Sequence, residues 1–433
     1  MSRQAAAALV LLLAVAAVGL AVPSRVAAFS GFGSLSASEQ YGQSMTFSVA
    51  LDGGAPNRLE ILLDFGLDSD STFVAQVQAG GATATYRWDA SKDYVTPNTP
   101  ITYRWRATSD GRMTVSSAGR LLYADNRPGL DWRSAAIGQA TVHWYGAAEA
   151  QARRFGDLTS GAVTRAEQTL GHSLDGPVDI FAYSTRDDFF GALGPGAREW
   201  TGAATYPNIR TVFMWLGAYA DPAELDTALV HEVTHVVFYD ATRNPYHDPA
   251  HWLNEGFAMW SEQQNATDAA RTVRAEASVG LFSFEAITNQ FPIGALGSSL
   301  SYAEGATMVD MIIRTYGRGA MAAIAAAYRG GATDAEALKD GTGKSADQLY
   351  ADYFRSFGAA EPQPVAAATI GPSVVRPGQN GGAAASAAAQ PADGASQRSA
   401  AGASAGWVAI AVLGLVVVLA GAWYWRRRGI ADE

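Results

Sequence analysis

The stretch HEVTHVVFYDATRNPYHDPAHWLNEGFA, residues 231–258, carries four of the six histidines of the chain. Two of them, His231 and His235, are four residues apart. On a helix that spacing sends both imidazoles out from one side, about one turn from each other. Glu232 lies beside His231 on the adjoining face. Two imidazoles and one carboxylate in the order HExxH can hold zinc and place a general base at its water. Two satisfied surface histidines on an amphipathic helix would show the same three residues, so the motif needs further support. The chain has no cysteine, which excludes thiolate metal sites, disulfides and a cysteine nucleophile together. A transition metal must therefore be held by His, Asp or Glu.

Zinc used for hydrolysis takes three protein ligands and leaves a position open. The residue six after His235, where a third histidine would complete one known pattern, is Ala241. Glu255 is the better candidate, because it follows a turn rich in Asn, Pro and Asp that lets two helices pack side by side. HEVTH, with nineteen residues between His235 and the glutamate of WLNEGFA, resembles the gluzincin zinc peptidases. The similarity is to the aminopeptidase N family and to the smaller peptidase MA-like domains. It implies Zn2+ as cofactor, with His231, His235 and Glu255 as ligands and Glu232 as general base. The spacer is one residue longer than the family's usual one. Glu262 also matches a family glutamate; it reads equally as a residue backing the ligands or as a solvated helix position. Further on, SYAEGATMVDMIIRTYG resembles the SYxKGA stretch of aminopeptidase N relatives. That implies Tyr302 as a donor to the oxyanion, with Glu304 where the family has lysine. Read alone, Tyr302 is a packing residue at a helix start. The resemblance covers roughly residues 145–357 and implies peptide-bond hydrolysis, with peptide or protein as substrate.

The zinc helix has a clear start. Asp221 suits the N-cap, Pro222 the first helical position, and Glu224 completes a capping-box pattern. Leu225, Leu229, Val233 and Val236 form an apolar stripe, and the helix should end near Ala241, before Asn244-Pro245. Further helices are expected over 250–263, 301–316 and 346–357, with a helical stretch, either continuous or broken once, after Trp144. PVDIFAYS and RTVFMWL read as strands. In gluzincins an edge strand ahead of the zinc helix pairs with the substrate backbone, so residues 210–216 are the expected substrate platform. His247 and His251 read as turn residues or substrate-side contacts. His143 and His172 have no sequence partners and receive no role.

Aminopeptidase N relatives hold the substrate's free amine with a glutamate of a GxMEN stretch ahead of the zinc helix. The corresponding residues here, 200–217, contain no acidic side chain. A buried ammonium needs a paired charge. Endopeptidase action is therefore expected, unless Glu304 or a loop acid supplies the charge.

Residues 29–145 read as β-structure. MTFSVAL alternates apolar and small residues, and RLEILLDF, ATATYRWD, PITYRWRAT, RMTV and RLLYAD follow with turn signals between them. The expected architecture is α+β: an N-terminal β-sandwich at 29–145, then a thermolysin-like gluzincin domain with a short sheet and mostly helices at 146–360. Both chain ends read as sorting signals. Arg3, the apolar run from Ala5 to Val22 and the small residues up to Ala28 are expected to be a signal peptide, 1–28. Residues 361–405, rich in Ala, Gly, Ser and Pro, are the expected stalk, with a reach on the order of 35 Å. Residues 406–425 are uncharged and flanked by Trp407, Trp423, Tyr424 and Trp425, as in a transmembrane helix. Arg426, Arg427 and Arg428 place the tail, 426–433, in the cytoplasm and the body outside the cell membrane. The formal net charge of -10 argues against nucleic acid as a main partner. A surface binding or scaffold protein with a non-hydrolytic zinc domain is the alternative. The complete set His231, Glu232, His235 and Glu255 weighs against it, since a scaffold has no use for a base.

Overall fold

The computed structural model describes residues 28–67, 72–194, 202–262, 265–292 and 295–362. The expected signal peptide, stalk, transmembrane helix and cytoplasmic tail lie outside the described residues, apart from Ala28, Glu361 and Pro362. Among the described residues no helix is long and apolar enough to cross a membrane.

Eight strands make two facing antiparallel sheets. One joins β1 (Gly31–Gln40), β2 (Ser44–Asp52) and β5 (Thr83–Trp88). The other runs β4 (Thr72–Gln76), β3 (Arg58–Phe65), β6 (Thr99–Ser109) and β7 (Arg112–Val115), with β8 (Gly119–Tyr123) also on β6. Alternation decides which side is buried. Met45, Phe47, Val49 and Leu51 of β2 meet Ile101, Tyr103, Trp105 and Ala107 of β6 in one core. Phe47 and Tyr103 pack with ring centroids 5.0 Å apart.

A second sheet system begins earlier than the expected boundary at residue 145. Strands β9 (Arg133–Ile137) and β10 (Ala140–Trp144) belong with β11 (Val178–Tyr183), β12 (Ala203–Tyr206) and β13 (Thr211–Trp215), in the order β12-β13-β11-β10-β9. β10, β11 and β13 are parallel, while β9 and β12 are antiparallel to their neighbours. Ala140, Val142 and Trp144 alternate as a sandwich strand would. That period shows a buried face but not which partner buries it. The order also corrects the expected substrate platform. Residues 211–215 form an interior strand, hydrogen-bonded on both sides, and among the described residues β12 is the outer strand next to it.

Helix α1 (Glu149–Leu170) runs unbroken across this sheet, and α2 (Arg186–Leu193) follows β11. The rest is helical: α3 (Pro222–Thr242), α4 (His251–Ser261), α5 (Asn265–Glu276), α6 (Ala295–Tyr316), α7 (Arg318–Arg329), α8 (Asp334–Thr342) and α9 (Ala346–Phe357). α3 starts as expected, with Asp221 Oδ1 accepting the Ala223 N–H at 2.9 Å. The expected capping box is not made there, because the Glu224 N–H goes to the Asp221 carbonyl instead. Leu225, Leu229, Val233 and Val236 lie in a core shared with the sheet, α1, α4 and α6. The sandwich is bonded to this body. Tyr94 Oη donates to the Ala192 carbonyl at 2.6 Å, and Arg127 pairs with Asp125 while reaching the Asp188 carbonyl.

Candidate metal centre

His231 and His235 leave α3 one turn apart, their ring centroids separated by 4.7 Å. Glu255, on α4, closes the third side: one ligand atom from each of the three residues lies within 4.8 Å of the others. All three side chains are buried. The Glu255 Oε2 atom is 3.3 Å from His231 Nε2 and 3.6 Å from His235 Nε2.

The outward ring nitrogens are held by neighbours. His235 Nδ1 bonds Asn254 Oδ1 at 2.9 Å, and His231 Nδ1 bonds Glu262 Oε1 at 2.6 Å. Oxygen acceptors at Nδ1 fix the proton there and leave both Nε2 lone pairs directed at the centre. Glu262 thus backs a ligand and is not a solvated helix residue. Among the described residues the inward atoms have no hydrogen-bond partner outside the cluster: His231 Nε2, His235 Nε2, both Glu255 oxygens, Glu232 Oε1 and Tyr302 Oη. Buried polar atoms are rarely left unpaired, and an uncompensated buried carboxylate is costly. Two imidazoles and one carboxylate converging in this way fit a zinc ion with one position left open.

The electrostatics agree. Burial alone would raise the Glu255 carboxyl, but His235 and His231 hold it down to about 2. Burial would lower His231, yet Glu255 and Glu262 raise it well above its usual range. A position where a proton is held this firmly is one that favours a cation. His235 is pushed down to about 4, chiefly by burial, and so stays neutral and able to ligate near pH 7.

Glu232 is fully buried beside the cluster. Burial pushes its pKa up to about 7. Thr205, on the edge strand β12, donates its hydroxyl to Glu232 Oε2 at 2.5 Å and approaches the Glu232 carbonyl at 3.2 Å. One carboxylate oxygen is thereby fixed and the other, Oε1, is free to take a proton.

Tyr302 reaches the site because two helices cross without side chains between them. A Cβ on Gly256 would lie 2.4 Å from the Gly305 carbonyl carbon, and one on Gly305 2.6 Å from the Trp252 carbonyl oxygen. Glycine is therefore required on both sides, in WLNEGFA and in SYAEGA. The crossing sets Glu255, just before Gly256, next to Tyr302, one turn before Gly305. Phe291 supports the Tyr302 ring edge-on, with centroids 4.7 Å apart. Burial, then the Glu255 and Glu232 carboxylates, raise the Tyr302 pKa far above the ordinary tyrosine value, so its hydroxyl stays a donor.

Glu304 is engaged away from the ligands. Its Oε1 accepts the Phe282 N–H at 2.9 Å, and burial pushes its pKa up to about 8. Burial thus favours its neutral form, and it neighbours Phe282 and Tyr353. Of the other histidines, His251 is buried at the first turn of α4, its Nδ1 3.8 Å from Glu255 Oε1. His247 bonds Asp334, which also accepts the Ala250 N–H ahead of α4. His143 bonds Ser134 and Asp179, and His172 bonds Asp240, all away from the centre. Thr205 and Asn254 were not singled out from the sequence. Asn254 could have been, as the polar neighbour of Glu255 at an otherwise apolar helix start; Thr205 carries no such signal.

Residues 159–357 match the family model described as the Peptidase MA superfamily. No curated protein matches the chain. Among solved structures, the chain is similar to an M1 zinc metallopeptidase from Deinococcus radiodurans, at 13% identity and a TM-score of 0.33, over 74% of this chain and 91% of that one. It is also similar to an aminopeptidase N family protein from Idiomarina loihiensis, at 10% identity and a TM-score of 0.33, over 64% of this chain and 66% of that one.

Proposed function

We propose that residues 159–357, which match the Peptidase MA superfamily and carry the His231, His235 and Glu255 cluster, form a zinc metallopeptidase domain, and that the protein is a membrane-anchored endopeptidase acting outside the cytoplasm. The observation that carries the endopeptidase reading is the edge strand. β12 ends at the base, and the side chain it offers there is Thr205, already committed to Glu232. Residues 202–217 contain no carboxylate, and Glu304 is turned elsewhere, its neutral form favoured by burial. A site that selected a free N-terminus would have to bury an ammonium with no partner from this strand.

The roles follow from charge and position. His231, His235 and Glu255 would hold the zinc. When bound, zinc polarises the scissile carbonyl and lowers the pKa of a coordinated water toward neutrality. Glu232 Oε1 takes the water's proton and returns it to the leaving amine. Tyr302 donates to the carbonyl oxygen as negative charge gathers there, a contact worth on the order of 3 kcal/mol of barrier. The outer edge of β12 hydrogen-bonds the substrate backbone, which suits an extended chain of varied sequence.

Matched fluorogenic peptides with free and acetylated N-termini test the reading. Both should be cut internally at rates within a few-fold of each other. Strict dependence on the free amine, with release of one residue at a time, would replace it by aminopeptidase action.

The membrane anchor rests on the apolar residues 406–425 and the three arginines after them. Protease added outside intact cells should release a soluble body by cutting within 361–405. A tag on the C-terminus should stay protected; a tag open to protease from outside would reverse the topology.

A further inference from the structure

Tyr219 lies in the turn between β13 and the zinc helix, packed against the peptidase core. Its hydroxyl is buried and has no hydrogen-bond partner. The same oxygen lies 3.0 Å from where a Cβ on Gly202 would be, at the start of the edge strand β12. Burial, followed by the carboxylates of Glu232, Glu224 and Glu262, raises its pKa far above the ordinary value, so it too remains a donor. The two tyrosines come from different elements, Tyr302 from α6 and Tyr219 from the turn that meets the start of β12. An unpaired buried hydroxyl is unfavourable.

We propose that Tyr219 donates its hydroxyl to the first substrate carbonyl beyond the scissile bond, on the leaving-group side, and so selects polypeptides over simple amides. The proposal rests on the peptidase reading above. Glu232 delivers the proton to the leaving nitrogen, so that nitrogen lies beside it. The next carbonyl of an extended chain follows within one residue length, about 3.5 Å. Tyr219 sits at Gly202, three residues before the Thr205 that holds Glu232 on the same strand, and is placed to meet it while β12 pairs with the backbone.

The test compares the zinc-loaded wild type, Tyr219→Phe and Tyr302→Phe on two substrates. One is an internally quenched peptide that continues past the cut; the other is a peptide anilide, whose leaving group has no carbonyl. Tyr219→Phe should lower kcat/KM about tenfold on the peptide, leave the anilide unchanged, and keep the wild-type melting temperature and zinc content. Tyr302→Phe should slow both substrates. A second readout needs no turnover: a phosphinic peptide carrying the next carbonyl should bind Tyr219→Phe about tenfold more weakly, and one truncated before it should bind equally well. Equal losses on both members of each pair, or no loss on either, overturn the role of Tyr219. A zinc-loaded wild type that cuts neither substrate overturns the peptidase reading, and the Tyr219 role with it.

Discussion

Replacing Glu232 with glutamine lowers kcat by about a thousandfold and leaves one zinc bound per chain. General bases contribute roughly two to four decades, and the neighbouring carboxylates have other duties, Glu255 as a ligand and Glu262 as the partner of His231. Glutamine keeps the shape of the side chain, and its carbonyl can still accept the Thr205 hydroxyl. Metal retention is expected because the ligand atoms come from His231, His235 and Glu255. Turnover on a fluorogenic peptide and metal analysis of the same sample check both halves. Loss of metal, or activity near that of the wild type, would show that Glu232 is not the base. The wild-type pH profile carries the same signature. Burial holds the Glu232 carboxyl at about 7 even against the lowering charge of a protonated His231, and a dication in place of that proton would lower it further. A base works as the carboxylate, so activity is lost as the pH falls through its pKa. The acid limb of the profile should lie below pH 7, and Glu232→Gln should remove it.

Stripping the metal with a chelator should abolish hydrolysis and lower the melting temperature by roughly 10 °C. Ligand that binds only the folded chain, at a thousand times its dissociation constant, contributes about 4 kcal/mol. For a domain near 200 residues, that corresponds to roughly 8–16 °C. Two imidazole nitrogens and both Glu255 oxygens, all buried, lose their common partner when the ion leaves. Part of the loss is made up by protonation of His231, which Glu255 and Glu262 favour. Differential scanning calorimetry with and without chelator, followed by zinc add-back, measures the effect. An unchanged melting temperature after verified metal removal would separate the cluster from any structural metal role.

The residues of the centre were legible because their chemistry is local in sequence. HEVTH fixes its own geometry once it is helical, and the Asp221-Pro222 start makes it helical. Glu255 and Tyr302 came through resemblance, and the physical reason for their motifs emerged only in three dimensions, in the meeting of Gly256 and Gly305. What stayed hidden depends on order across a sheet. RTVFMWL is plainly a strand, but alternation carries no information about its neighbours. The strand taken for an edge is interior, and the short AATY segment beside it is the edge. The same blindness assigned Ala140–Trp144 to the sandwich. Thr205 escaped notice because a threonine in a strand is ordinary until the base is found against it.

The meeting of Gly256 and Gly305 also bears on motion. Helices separated by side chains can slide past one another in small steps as rotamers adjust. Two backbones in direct contact cannot, since a shift of one residue brings Phe257 or Ala306 under the opposite main chain. The crossing acts as a detent, allowing one register and blocking its neighbours. Any breathing of the helical body then carries Glu255 and Tyr302 together, as a single rigid piece, past the base and histidines on α3. The catalytic gap is adjusted between these two pieces and not within either.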